Sequence, residues 1–390
     1  MLQAAWDNGA TSPSRLAVPM VDPKIPLRPG CEPACPACPH RQWTPEQSHR
    51  QKQDWLLQRL APWKEYLAPL RDQPEQRWGY RRRTCLSASW REGGWHFGLQ
   101  AGDEVLAIPD CPVHAPETNQ VLRLLRECLP PPDRFPLRFV VQNEKQWTLV
   151  VKSRQFPEDL RTRFNLAFAG NPFDVDGFWL NLHPAAGRRV FSPKHWQLLW
   201  GETLSRNQAG LVYGPACFLQ VHPSLHRASL HEASEFLQPS PGRPVMDLFC
   251  GIGAGLRLWA DAGAPTAGVE LGSEAVACAR RNAPQAEIWM GRVEHRRPQV
   301  ETWLDRQSAT PVVYLNPPRT GMDRPSLEWL AEKVRPSKLV YLSCSAGTLA
   351  RDLEVLEGAG FAVHTLRPYD FFPQTLHVEV LALLHRPGPR

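Results

Sequence analysis

Residues 244–255, Pro-Val-Met-Asp-Leu-Phe-Cys-Gly-Ile-Gly-Ala-Gly, constrain the fold of this chain more than any other stretch. The apolar start reads as a buried strand, the glycines as a tight turn and the residues up to Asp261 as a helix. Roughly twenty residues past the first glycine, Ala267-Gly-Val-Glu270 ends a second strand, the spacing at which an acid reaches ribose hydroxyls in a doubly wound sheet. An α/β fold with a nucleotide-type ligand is therefore expected. The order Asp-x-x-x-Gly-x-Gly-x-Gly points to S-adenosylmethionine rather than a dinucleotide, because the glycines let the backbone approach an amino-acid moiety and no pyrophosphate needs a cradle.

Two further apolar runs extend the same sheet. Val312-Val-Tyr-Leu-Asn-Pro-Pro-Arg-Thr-Gly (312–321) is a buried strand ending in a proline-stiffened turn, where the Asn316 amide can both donate and accept hydrogen bonds. Lys338-Leu-Val-Tyr-Leu-Ser (338–343) then delivers Cys344 to a turn, and residues 346–353 start a helix. A cysteine at a strand's carboxyl end faces the ligand crevice of an open α/β sheet, and an adjoining helix amino terminus favours its thiolate. A small buried core cysteine is the plainer reading. In the closing strand, 373–384, Glu379 interrupts apolar neighbours; a carboxylate there is costly unless paired or used, and a raised proton affinity suits a general base. Alternation along the strand also permits an edge glutamate facing solvent.

The other end of the chain carries a different signal. Cys31-Glu-Pro-Ala-Cys35-Pro-Ala-Cys38 places three cysteines within one proline-framed loop, as ligand loops do for zinc or an iron–sulfur cluster. Either centre wants four ligands. Cys111, in Ile-Pro-Asp-Cys-Pro-Val-His (108–114), is the best fourth because it too lies in a proline-framed turn; Cys85 and Cys128 have more apolar settings. Ten cysteines in a chain without a secretion signal serve metals or catalysis more readily than disulfides.

Between these regions, Thr44–Leu70 reads as helical, with Trp55, Leu56, Leu60 and Trp63 as core. Arg77-Trp-Gly-Tyr-Arg-Arg-Arg-Thr (77–84) interleaves cations with rings, a combination suited to phosphates and unpaired bases of single-stranded RNA, although a solvated strand edge has the same pattern. Residues 94–109, 137–141 and 146–152 alternate like strands, 121–129 reads as an amphipathic helix, and 225–237 as a helix leading into the C-terminal part. Residues 1–30 carry little periodicity and read as an extended lead-in. The net charge of +6 is compatible with a nucleic-acid partner without identifying one. No apolar run approaches the roughly 18 residues needed to cross a bilayer. A soluble, cytoplasmic protein is the expectation.

Taken together, Phe-Leu-Gln-Val (218–221), Asp-Leu-Phe-Cys-Gly (247–251), Asn-Pro-Pro-Arg-x-Gly (316–321), Ser-Cys-Ser (343–345) and Thr-Leu-His-Val-Glu (375–379) resemble the RNA uracil-5 methyltransferase family. Within it the chain is most similar to the branch that methylates 23S ribosomal RNA, carries a [4Fe-4S] cluster and lacks an added N-terminal RNA-binding β-barrel. The resemblance implies Cys344 as nucleophile toward uracil C6, Glu379 as the base that removes the C5 proton, and Gln220, Phe249, Glu270 and Asn316 around S-adenosylmethionine. It assigns Cys31, Cys35, Cys38 and Cys111 to the [4Fe-4S] cluster. His222, Ser345 and Ala254 depart from the family pattern without removing a reacting group.

The fold class expected is α/β: a C-terminal Rossmann-like S-adenosylmethionine-dependent methyltransferase sheet over 201–390, a central α+β RNA-substrate domain over 119–200, and an N-terminal region over 1–118 holding the cysteine cluster and the basic-aromatic segment. A monomer acting on a single-stranded or loop region of 23S rRNA is expected. Two alternatives remain at this point: methylation of an exocyclic amine, which also uses Asn-Pro-Pro but typically follows it with an aromatic residue rather than Arg319, and an iron–sulfur RNA-binding protein without methyltransferase activity.

Overall fold

The computed structural model describes residues 25–171 and 173–387. Residues 1–24 of the expected lead-in lie outside the described residues. The chain divides into two compact units: one takes the described residues up to Trp43 with Glu75–Val221, the other takes Thr44–Pro74 with the chain from His222 onward. This differs from a partition into three consecutive segments. Helix α1 (Pro45–Arg59) starts on a capping box, Thr44 accepting from the Gln47 amide while Gln47 reaches back to Thr44, and it belongs to the C-terminal core. Leu56, Leu60 and Trp63 are buried there in the same core as Leu353, Phe361 and Val363, as their helical spacing predicts, while Trp55 is only partly buried against it.

In the first unit, β1 (Arg83–Arg91), β2 (Gly94–Ala101), β3 (Glu104–Ala107), β4 (Leu137–Asn143), β5 (Gln146–Val151), β6 (Gly177–Leu182) and β7 (Trp196–Gly201) form one sheet in the order β3-β2-β1-β4-β5-β6-β7. Only β5 and β6 pair in parallel, joined by a crossover containing α3 (Leu160–Ala167). Val121, Leu122 and Leu125 of helix α2 (Pro116–Cys128) share one buried core with Trp95, Phe97 and Trp147 of the sheet and Phe164 of α3. The pair β8 (Ser205–Arg206) and β9 (Val212–Tyr213) leads to residues 214–221, held by the Asn143 amide donating to the Gly214 and Cys217 carbonyls at 2.9 and 3.0 Å.

The second unit is the doubly wound sheet announced by the glycine-rich turn. After α4 (Pro223–Leu237), strands β10 (Val245–Asp247), β11 (Thr266–Glu270), β12 (Glu287–Met290), β13 (Val312–Leu315), β14 (Lys338–Ser343), β15 (Ala362–Tyr369) and β16 (Glu379–His385) lie in the order β12-β11-β10-β13-β14-β16-β15. Strands β10 to β14 are parallel and β16 runs antiparallel between β14 and β15. The intervening helices are α5 (Ala254–Asp261), α6 (Ser273–Asn282), α7 (Val293–Leu304), α8 (Arg324–Glu328) and α9 (Ala346–Gly358). The chain goes outward from β10 to β12 and then restarts at β13 on the other side, so the ligand crevice opens at the carboxyl ends of β10 and β13.

Residues 67–71 cover what would be the open edge at β15, with the Ala68 and Arg71 amides donating to the Leu366 and Pro368 carbonyls at 2.9 Å. A buried ion pair fixes the same region: Lys52 Nζ lies 2.5 Å from Asp370 Oδ1 and donates to the Phe372 carbonyl at 3.0 Å. Both side chains are fully buried, so removing either partner would strand a charge. Among the described residues no helix is long and apolar enough to cross a membrane.

Candidate active site

Four strand ends and one strand start converge at the crevice edge of the second unit. At the end of β10, Asp247 accepts from the Phe249 amide at 3.2 Å, and burial, with Glu270 nearby, pushes its carboxyl up to about 8. Gly251 then takes a left-handed φ of 53°, and a Cβ there would point into open space, leaving bare backbone facing the crevice. Glu270, ending β11, is held from both sides: Oε2 accepts from the Gly251 amide at 3.1 Å and Oε1 from the Gly272 amide at 2.6 Å. Burial raises its proton affinity while those backbone bonds oppose the rise. Each carboxylate oxygen keeps a further lone pair, the arrangement a ribose diol requires. Phe249 is partly buried against the core beside the turn, and Asn316, directly after β13, is half-buried. Gln220 lies in the first unit, half-buried at the end of the 214–221 segment.

Cys344 follows β14 and precedes α9, as its sequence setting predicts. Its companion is not on the next element in the chain. Antiparallel register pairs Ser343 with Val380, which brings the start of β16, and hence Glu379, beside Cys344. Glu379 is 5 % exposed on an interior strand, so the reading of a solvent-facing edge glutamate does not hold. Burial pushes its carboxyl up to about 7, opposed by the Arg319 guanidinium.

The thiol of Cys344 behaves differently from the helix-terminus expectation. Burial, and after it the neighbouring Glu379 charge, push it up to about 12, so the thiol is protonated at neutral pH. The opposing influence is Arg319, which both places its charge near the sulfur and hydrogen-bonds it. Arg319 thus serves Cys344 and Glu379 together, a role that its position after Asn-Pro-Pro does not reveal. Its loop is tied to α9: Thr348 Oγ1 donates to the Arg319 carbonyl at 2.9 Å and Arg351 to the Thr320 carbonyl at 3.1 Å. At Gly321, with φ 75°, a Cβ would meet Thr348 Cγ2 at 2.5 Å, so glycine is required for the loop to lie this close. Ser345 caps α9, its Oγ accepting from the Thr348 amide at 3.4 Å and donating to Thr348 Oγ1 at 3.0 Å.

In the first unit, the turns over residues 28–41 bring Cys31, Cys35 and Cys38 near Cys111. The Cys38 thiol is pushed up to about 12 by burial and then by Cys111 and Cys35, with Cys31 contributing and Arg81 opposing. Arg41 holds the loop through the Cys35 carbonyl and, at 2.7 Å, the Pro33 carbonyl. Cys85 on β1 and Cys128 at the end of α2 are not among the groups that perturb this set. Among the described residues, no group of three or more His, Cys, Asp or Glu side chains is arranged to hold a metal ion. Within 77–84, Arg77 and Arg83 are buried, which removes them from the cations that the run offers to phosphates.

Such a sheet, with a pinned acid on its second strand and a thiol at the opposite side of the crevice, defines the methyltransferase class of doubly wound folds. The solved tRNA (uracil-54, C5)-methyltransferase of Pyrococcus abyssi, in complex with S-adenosyl-L-homocysteine, has the same fold, with a TM-score of 0.69, 21% identity, and coverage of 90% of this chain and 86% of that one. A family model described as tRNA (Uracil-5-)-methyltransferase matches residues 294–387. The 23S rRNA (uracil(1939)-C(5))-methyltransferase RlmD of Thiobacillus denitrificans is 31% identical over 324 residues, 79% of this chain and 73% of that protein. The 23S rRNA (uracil(747)-C(5))-methyltransferase RlmC of Salmonella typhimurium is 27% identical over 343 residues, 83% of this chain and 89% of that protein. The chain belongs to the S-adenosylmethionine-dependent RNA uracil-5 methyltransferase family.

Proposed function

We propose that this protein transfers a methyl group from S-adenosylmethionine to C5 of a specific uridine in 23S ribosomal RNA through a covalent adduct between Cys344 and C6. The observation that carries the reading is the triplet of Cys344, Glu379 and Arg319, two of them on neighbouring strands and the third interacting with both. A site for amine methylation has no use for a thiol held between a carboxyl and a guanidinium.

Each residue has a task set by its surroundings. Uracil C5 is a weak nucleophile, and addition of sulfur to C6 turns the ring into an enolate whose C5 can attack. Even with Arg319 beside it the thiol sits near 12, so addition to C6 requires Cys344 to give up its proton to solvent, and the guanidinium stabilises the negative sulfur that results. S-adenosylmethionine, which Glu270, Phe249 and Asn316 would hold, supplies an electrophilic methyl group. After C5 has taken that methyl, the Glu379 carboxylate removes the C5 proton, the C5–C6 double bond re-forms and Cys344 leaves as thiolate. A carboxyl near 7 is matched to this exchange, since it is substantially ionised at neutrality yet basic enough to accept the proton. The uridine must leave its stack or loop to bring C6 to the sulfur.

On the family resemblance we assign Cys31, Cys35, Cys38 and Cys111 to a [4Fe-4S] cluster, although four thiolates suit a zinc ion equally well. The mutual influence of these thiols places them near one another, as either centre requires. The cluster would be a structural or RNA-positioning element. Purified anaerobically, the protein is expected to be brown with about four iron and four sulfide per chain, and Cys111→Ala to lose both; stoichiometric zinc would refute the assignment.

The function itself is tested by mapping 5-methyluridine in ribosomal RNA from cells with and without the gene. One or more 23S sites are expected to lose the methyl group on deletion and regain it on complementation. An unchanged map would overturn the reading. A cytoplasmic monomer is part of the same proposal, as is a functional split into cluster region, RNA-substrate region and methyltransferase domain.

A further inference from the structure

One concave site of the first unit takes no part in the chemistry described above. A pocket of roughly 470 Å³ opens beside Cys111, within the size range of small-ligand sites. One wall is the half-buried indole of Trp78, over which the guanidinium of exposed Arg28 lies 4.8 Å from the ring centroid. Arg123 stands at the rim, ion-paired with Asp110. The floor holds neutral hydrogen-bonding side chains. Asn119 is locked there, its Nδ2 donating to the Cys111 carbonyl at 3.1 Å and its Oδ1 lying 3.1 Å from His114 Nδ1. So oriented, its amide keeps one N–H and one lone pair for a ligand, and the exposed amide of Gln120 lies alongside.

A flat ring, a cation that can leave the ring for a phosphate, and a fixed amide on the floor are the three contacts that an unpaired nucleotide makes. We infer that this pocket takes one unpaired nucleotide of the RNA substrate, separate from the uridine that is methylated, with its base against Trp78, its edge on Asn119 and its phosphate on Arg28. The inference rests on the RNA methyltransferase reading for the identity of the RNA. It also explains the basic-aromatic run over 77–84 more narrowly than its composition does: Arg77 and Arg83 are buried, while Trp78 reaches the pocket.

The test uses the full-length protein and a 23S rRNA transcript. Ultraviolet cross-linking followed by mass spectrometry is expected to place a nucleotide on a peptide carrying Trp78 or residues 112–123. Trp78→Ala is expected to weaken RNA binding about tenfold or more, the scale of one lost base–aromatic stack, and to raise KM for RNA while leaving kcat at saturating RNA within about twofold. Trp78→Phe keeps a ring and is expected to restore most of the affinity, and the preserved kcat shows that the variants are folded. Wild-type affinity in Trp78→Ala, or failure of Trp78→Phe to rescue, overturns the inference. Normal 5-methyluridine formation alongside that result would sink the pocket alone, whereas a wild-type chain that forms no 5-methyluridine would sink the underlying reading, whatever the cross-link.

Discussion

Cys344→Ala is expected to lower methyl transfer by at least about 10⁴-fold, the scale on which loss of an active-site nucleophile acts, and to form no covalent complex with RNA containing 5-fluorouridine. The wild-type protein is expected to form that complex in stoichiometric amount when S-adenosylmethionine is present. The reason lies in the last step: fluorine in place of the C5 hydrogen leaves Glu379 nothing to remove, so the sulfur–C6 bond cannot be broken. Denaturing electrophoresis reads the outcome directly. Cys344 is only half-buried in the turn before α9, and the cap on that helix comes from Ser345, so the alanine variant is expected to keep its fold and its affinity for RNA. A wild-type enzyme that methylates uridine but yields no adduct would eliminate the covalent route.

Glu379→Gln separates the two halves of the reaction. The amide cannot take the C5 proton, so turnover is expected to fall by about 10²- to 10⁴-fold while an adduct with ordinary RNA accumulates. The pH profile follows from a carboxyl near 7. Below that pH the group is protonated and cannot act as base, so the wild-type rate should decline about tenfold per pH unit on the acid side, and this limb should vanish in the glutamine variant. Stability gives an independent check with a definite sign. A carboxyl raised from 4.5 to about 7 binds its proton more tightly in the folded protein than in the unfolded chain, so its contribution is fully present below 4.5 and is lost as pH rises through 7. Glu379→Gln is therefore expected to stabilise the protein relative to wild type at pH 8 and to do so little at pH 4, measured by thermal unfolding. Equal shifts at both pH values would show that burial does not perturb this carboxyl.

The cofactor crevice was legible because its signals are local. A strand, a glycine turn and an acid at a fixed distance lie within 244–270, and the structure places Asp247, Gly251 and Glu270 together at adjacent strand ends. Cys344 was legible for the same reason. Arg319 was not, because what marks it is its approach to two groups that lie 25 and 60 residues further along the chain, and an arginine after two prolines has no spacing that announces this. The burial of Glu379 depended on β16 entering between β14 and β15 instead of closing the sheet at its edge, a choice of topology that alternation along one strand does not encode. The arginines of 77–84 show the converse error: cations and rings that alternate in sequence suggest one binding face, yet Arg77 and Arg83 turn inward.

The pair of Lys52 and Asp370 has a consequence for how the protein is made. The second unit begins at Thr44, is interrupted by Glu75–Val221 and resumes at His222, so its first helix leaves the ribosome long before α9, on which it packs. The lysine at 52 and the aspartate at 370 are separated by 318 residues, and their ion pair cannot form until nearly the whole chain has been synthesised. At about 5–20 residues per second that interval is on the order of 15 to 60 seconds. During it the inserted unit has all its sequence and can fold, while α1 must wait with a charged residue on the face destined for the core. A gene fragment starting near residue 200 would encode the crevice, the thiol and the base, yet lack the helix that neutralises Asp370 and the strand-like segment that closes the sheet edge.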